Sequence, residues 1–160
     1  MSFNVAADAY DNFMGRYSVP LAPRFADFAE IEPGQRVLDV GCGPGALTLE
    51  LVGRLGPHAV SAVDPSEQFV AAVRTRARDA SVECASAEHL PFGDDTFDAS
   101  LAQLVVHFMD EPVSGLREMG RVTRDGGLVA ACVWDHAATT PPSLVTRPIS
   151  RRPESGSSMK

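Results

Sequence analysis

The stretch Val37-Leu38-Asp39-Val40-Gly41-Cys42-Gly43-Pro44-Gly45-Ala46 decides the fold. Its first half is apolar, short and β-branched, as expected of a parallel strand covered on both faces. Its second half is a glycine turn. Beyond it, Leu47, Leu51, Val52 and Leu55 keep one apolar face at helical spacing until Gly56-Pro57 stops the helix. Glycines at such a turn let the backbone approach a ligand with no Cβ in the way, and the helix start beyond it favours negative charge.

Outward from this unit the pattern repeats. Residues 59–64 (AVSAVD) read as a second strand and 66–78 as a helix with Ser66 at its cap and Phe69, Val70 and Val73 inward. Residues 81–87 (SVECASA) read as a third strand and Phe97 to Gln103 as a fourth. Pro112 opens a helix carrying Val113, Leu116 and Met119, and Asp125-Gly126-Gly127 turns into a fifth strand, LVAACVW. Ahead of the first strand, Leu21, Phe25 and Phe28 predict one or two helices, closed by Pro33-Gly34. Strands alternating with helices, joined by right-handed crossovers, predict an α/β domain with a doubly wound, Rossmann-like parallel sheet of order 3-2-1-4-5 and a ligand site at the carboxyl ends of its strands.

The predicted organisation is a helical cap segment over 1–33, the α/β domain over 34–136 and, over 137–160, a disordered tail rich in Pro, Ser, Thr and Arg without periodicity. A chain of 160 residues suits one domain burying roughly 70% of its unfolded surface. Hydrophobic residues make up 44% and charged residues 22%, an ordinary globular balance. The net charge of -7 argues against nucleic acid as a partner, because phosphate binding needs surplus Lys and Arg. No run approaches the ~20 apolar residues of a membrane span, and no basic-then-apolar leader opens the chain, so a cytoplasmic protein is expected. Cys42, Cys84 and Cys132 are far apart and read as small buried residues in a reducing compartment. The histidines, His58, His89, His107 and His136, lack ligand spacing, so no metal site is expected.

The glycine turn alone is ambiguous. Gly41-x-Gly43-x-x-Ala46, with Asp64 at the end of the second strand, also satisfies the permissive dinucleotide fingerprint, which leaves an NAD(P)-binding oxidoreductase module as an alternative. Two residues lean the other way. The Asp39 carboxylate disfavours a pyrophosphate and suits a cationic amino group, and Pro44 removes an N–H that a phosphate would use. Asp64 is placed to accept hydrogen bonds from two vicinal ribose hydroxyls, with a helix-preceding surface cap as its plainer reading.

The strings VLDVGCGPGALT, AVDPS, ASAEHLPFGDDTFDAS and REMGRVTRDGG, in this order between about Tyr10 and Trp134, resemble class I S-adenosylmethionine-dependent methyltransferases. The branch they resemble is the small-molecule one related to ubiquinone and menaquinone biosynthesis methyltransferases, the methyltransferase type 11 domain. The resemblance implies that Asp39, Gly41 and Gly43, with Cys42 between them, line the methionine end of S-adenosylmethionine. It implies that Asp64, with Pro65 beside it, holds the ribose, that Ala87 and Glu88 border the adenine, and that Gln103 lies beneath the sulfonium. Tyr10 and Arg16 resemble residues of a segment closing over the site, with Arg16 a partner for the cofactor carboxylate. Plainer readings stand beside three of these: Glu88 as a solvated loop acid, Gln103 as a strand-end satisfier and Arg16 as a surface residue. His107 and, more weakly, His136 invite a general-base reading, but an isolated histidine at a strand-helix junction more often serves structure. The resemblance implies no particular catalytic residue.

The implied activity is methyl transfer to a small-molecule acceptor with S-adenosylhomocysteine as product and no metal. Members of the family continue past the fifth strand into a helix and a hairpin that complete a seven-stranded sheet. Here the final strands are expected to be missing, through truncation or an altered gene end. That expectation carries two others: an uncovered sheet edge prone to self-association, and a second functional reading in which the chain binds the cofactor without catalysing transfer.

Overall fold

The computed structural model describes the backbone of residues 3–134 and 144–149 and the side chains of residues 14–134. The chain runs α1 (Phe3–Phe28), β1 (Val37–Val40), α2 (Ala46–Leu55), β2 (Val60–Asp64), α3 (Glu67–Arg76), β3 (Ser81–Cys84), β4 (Phe97–Gln103), α4 (Pro112–Val122), β5 (Thr123–Trp134) and β6 (Leu144–Ile149). The sheet order is β3-β2-β1-β4-β5-β6. The first five strands pair in parallel in the predicted order, and β6 joins β5 antiparallel.

Alternation along the strands sorts the core onto two faces. Val37, Val60, Ala99 and Leu101 pack against α1 and α2 through Ala22, Phe25, Ala26, Leu47 and Leu51. Leu38, Val40, Val63 and Ala102 face the other way, toward Met119 and Val122 of α4 and toward Leu90 of the β3–β4 connection. Ser66 caps α3 by accepting from Phe69 N–H at 3.4 Å, and Gly56 ends α2, both as the sequence predicts. In β4 and β5, buried Ser100 and Thr123 share a 2.7 Å hydroxyl contact, and Thr123 also donates to the Met119 carbonyl, so neither buried hydroxyl is orphaned.

Four expectations need correction. Residues 144–149 form a strand where the sequence reading places an irregular tail; Pro148 sits at an outer position of the sheet, where its missing N–H costs little. The β5 edge expected to lie open is therefore paired, which removes the premise for self-association through it. The Asp125-Gly126-Gly127 segment is part of β5 rather than a turn before it: partners shift between Phe97↔Thr123 and Ala99↔Leu128, so the extra residues bulge. Finally, Cys84 is exposed rather than buried, while Cys42 and Cys132 lie in the core as expected. His136 and the rest of 135–143 and 150–160 lie outside the described residues. Among the described residues no helix is long and apolar enough to cross a membrane.

Candidate functional site

The carboxyl ends of β1, β2 and β4 open into a cleft of about 350 Å³. Asp39, Gly41, Cys42, Gly43, Asp64, Pro65, Ala87, Glu88 and Gln103 all line it, so separate turns of the chain converge there. Arg16 does not: it is exposed and outside the lining. The Tyr10 side chain lies outside the described residues. His107 is also absent from the lining; it is exposed, its ring 4.1 Å from that of Phe108.

Local chemistry shapes the glycine turn. Gly41 and Cys42 both donate their N–H to the Val63 carbonyl, tying the end of β1 to β2. Gly41 has φ +72° and Gly43 φ +51°, a region that costs an L-residue about 1–2 kcal/mol. A Cβ at Gly41 would overlap the Val105 side chain, whereas one at Gly43 would meet nothing within 4 Å. The first glycine is required by packing, and the second leaves open space beside the cleft.

Asp39 is almost fully buried. Its Oδ2 accepts from the Thr48 hydroxyl at 2.6 Å, and its Oδ1 has no partner. Burial raises its pKa to about 7, against the lowering effect of Thr48 and with help from the nearby Asp64 charge. Asp64, at the end of β2, accepts from Gly43 N–H on Oδ2 at 2.9 Å and from Ser66 N–H on Oδ1 at 2.8 Å. Burial pushes its pKa up too, opposed by those two backbone donors. Each of its oxygens retains a further acceptor position. The Cys42 thiol between them is driven up by burial and by both carboxylates, so it stays protonated and is no nucleophile.

Gln103 ends β4 on the same face as Asp39, two residues beyond Leu101, the register partner of Asp39. Its Nε2 donates to the Ser18 carbonyl of α1 at 3.1 Å, while its Oε1 is buried without a partner. Glu88 Oε1 accepts from Glu111 N–H at 3.2 Å, fastening the β3–β4 connection to the turn before α4. Sequence reasoning missed Met14, Ser18, Ser86, Leu104, Val105, Phe108, Met109 and Asp110, which also line the cleft, and read Phe69 as core, although it lines the cleft too. Periodicity signals that a residue faces inward but not whether the inside is core or cleft; for the 106–110 segment the only signal is an apolar run just past a strand end. No Lys, Arg or His is among the described lining residues. Among the described residues no cluster of three or more His, Cys, Asp or Glu could hold a metal.

An α/β sheet of this order, with a glycine turn after β1, an acid ending β2 and a cleft across the carboxyl ends, is that of the doubly wound domains, whose ligands lie outside the carboxyl ends of the strands. Residues 38–131 match the family model described as a methyltransferase domain, and the chain belongs to that family. It is 36% identical over 135 residues to an uncharacterized methyltransferase of Mycobacterium tuberculosis, covering 84% of this chain and 52% of that protein. It is 39% identical over 102 residues to the demethylmenaquinone methyltransferase of Mycobacterium sp. (strain KMS), covering 64% and 43%. The chain thus spans about half the length of the curated relatives it matches. Among solved structures it resembles a protein of Haloferax volcanii described as a methyltransferase and solved with the Trm112 methyltransferase activator, with TM-score 0.72 and 26% identity over 80% of this chain and 57% of that one. It also resembles the [4+2]-cyclase SpnF, with TM-score 0.65 and 29% identity over 72% and 44%.

Proposed function

We propose that the cleft binds S-adenosylmethionine and that the chain transfers its methyl group to a small-molecule acceptor. The observation that carries this reading is the unpartnered Oδ1 of buried Asp39 in a cleft with no basic side chain among its described lining. A buried carboxylate oxygen without a donor is costly, and a ligand ammonium group would supply one. The same carboxylate, with no cation to offset it, would repel a pyrophosphate, which disfavours a dinucleotide.

The residues divide the ligand between them. Asp39 would hold the amino group, and Gly41 and Gly43 would let the methionine end lie close to the backbone. Asp64 would take the ribose hydroxyls on its remaining acceptor positions, with Pro65 and Phe69 alongside. Ala87 and Glu88 would border the adenine, and Gln103 would lie toward the methyl end. When bound, the cofactor supplies an electrophilic methyl group on a sulfonium whose departure as a neutral thioether needs no acid. What remains for the protein is to orient the acceptor in line and exclude water, which in favourable cases supplies roughly 7–11 kcal/mol.

Calorimetric titration with S-adenosylmethionine, S-adenosylhomocysteine and NAD tests this. Both sulfur nucleosides bind, NAD does not, and Asp64→Ala weakens the nucleosides by roughly tenfold or more through the lost ribose bonds. Preferential binding of NAD, or failure of both nucleosides, overturns the reading. The likeness to a [4+2]-cyclase favours one second reading, cofactor binding without methyl transfer. Formation of S-adenosylhomocysteine during an acceptor screen separates the two.

A further inference from the structure

Beside the groups proposed to hold the cofactor, the lining of the cleft includes Met14 and Ser18 of α1 and Leu104, Phe108, Met109 and Asp110 from the segment after β4. Resting on the proposed cofactor site, we infer that this part of the lining receives a methyl acceptor with an apolar body and no negative charge. Two independent features point there.

The first is the surface. Phe108 is 61% exposed at the rim, next in sequence to Met109, and Met14 lines the cleft from α1. One exposed aromatic means little by itself, but a phenyl ring, two thioethers and a leucine lining the same cleft give that part of it a largely apolar lining. Methionines follow irregular shapes, and an aromatic face accepts flat rings or a cation.

The second is charge. An anionic head group is held by Arg or Lys, usually through paired charge-assisted hydrogen bonds. This cleft has Asp39, Asp64, Glu88 and Asp110 and no basic side chain among its described lining. A carboxylate or phosphate without an ammonium of its own, unlike the zwitterionic methionine end of the cofactor, would lose its hydration in this cleft and meet like charge. A neutral acceptor meets no such opposition, and a cationic one meets none beside the uncharged thioether of S-adenosylhomocysteine.

The test uses three probes with one apolar body: 2-naphthol, 2-naphthylmethylamine and 2-naphthoate, titrated by ligand-observed NMR into the full chain saturated with S-adenosylhomocysteine. The neutral and cationic probes bind at least about tenfold more tightly than the anion. Phe108→Ala weakens 2-naphthol by roughly fivefold, and Asp110→Lys at the exposed rim brings 2-naphthoate up toward the others, while both variants keep wild-type affinity for S-adenosylhomocysteine. Naphthoate binding as tightly as naphthol, no binding of any probe at millimolar concentration, or indifference to Phe108→Ala overturns the inference and leaves the cofactor reading standing. Failure of S-adenosylhomocysteine itself to bind overturns both.

Discussion

The Thr48 hydroxyl donates to Asp39 Oδ2 across 2.6 Å, a fully buried bond between the first turn of α2 and the strand before the glycine turn. It partners one of the two carboxylate oxygens and leaves the other for a ligand. The ionisation of Asp39 therefore links the ligand-free fold to the ligand.

Asp39 has its pKa raised from 3.8 to about 7. A carboxyl raised in the folded state binds its proton more tightly there than in the unfolded chain. Its contribution to stability is thus full below about pH 4 and is lost as pH rises to about 7. A cationic amino group needs the ionised form, so affinity for S-adenosylhomocysteine moves in the opposite sense: it rises roughly tenfold between pH 6 and pH 8, until the ligand amine itself loses its proton. Asp64, Cys42 and Cys132 are the titratable neighbours coupled to this group, and burial with the Asp39 charge keeps both thiols protonated throughout. Calorimetry across that range on wild type and Asp39→Asn checks this; a rising limb that persists in Asp39→Asn assigns it elsewhere.

Thr48→Val removes the donor and keeps the shape. The cost to stability is about 1–3 kcal/mol, and the carboxyl, now without its lowering hydrogen bond, holds its proton to higher pH. The rising limb for S-adenosylhomocysteine then moves upward in pH, whereas Thr48→Ser keeps it near the wild-type position. A limb that shifts equally in both variants would show that the hydroxyl has no such part.

Gly41 and Gly43 separate packing from ligand space. Gly41→Ala combines a left-handed φ with overlap on the Val105 side chain and costs about 2–4 kcal/mol, lowering Tm by roughly 5–15 °C. Adding Val105→Ala relieves the overlap and returns part of that loss. Gly43→Ala meets nothing and costs only the backbone share, about 1–2 kcal/mol. Its methyl group takes space proposed for the cofactor, so it weakens S-adenosylhomocysteine by more than tenfold. Thermal melts beside calorimetry read the two effects independently.

The parallel order of β1 to β5 was legible because each strand ends in a local stop signal and each helix keeps its period, and both are properties of neighbouring residues. Asp39, Gly41 and Asp64 were legible for the same reason, since the strand-turn-helix unit fixes where they lie. Residues whose role depends on distant packing were not. Phe69 sits at a helical-core spacing yet borders the cleft, and Arg16 carries a useful charge but faces outward. The Pro/Ser-rich composition around β6 hid a short strand that pairs along the β5 edge.

Arg121 shows the same limit and supplies a last test. On the sequence it is one charge in an exposed-looking helix. In the fold it bonds Glu118 at 2.6 Å, Asp94 at 2.8 Å and the carbonyls of Phe92 and Leu90, while Glu118 in turn accepts from Leu90 N–H. One guanidinium thereby fastens residues 90–94 of the β3–β4 connection to α4, and that connection also carries Ala87 and Glu88 into the cleft. Arg121→Ala removes charge-assisted bonds at a partly exposed site and costs about 2 kcal/mol, a Tm loss of roughly 4–8 °C. Lysine cannot span the same fork of acceptors, so Arg121→Lys recovers less than half of the loss. If the connection is held mainly by this clamp, amide exchange in Arg121→Ala rises first at residues 88–95 and the adenine side of S-adenosylhomocysteine binding weakens with it. Exchange that rises uniformly across the sheet instead would mean that Arg121 supports the whole fold and not this segment.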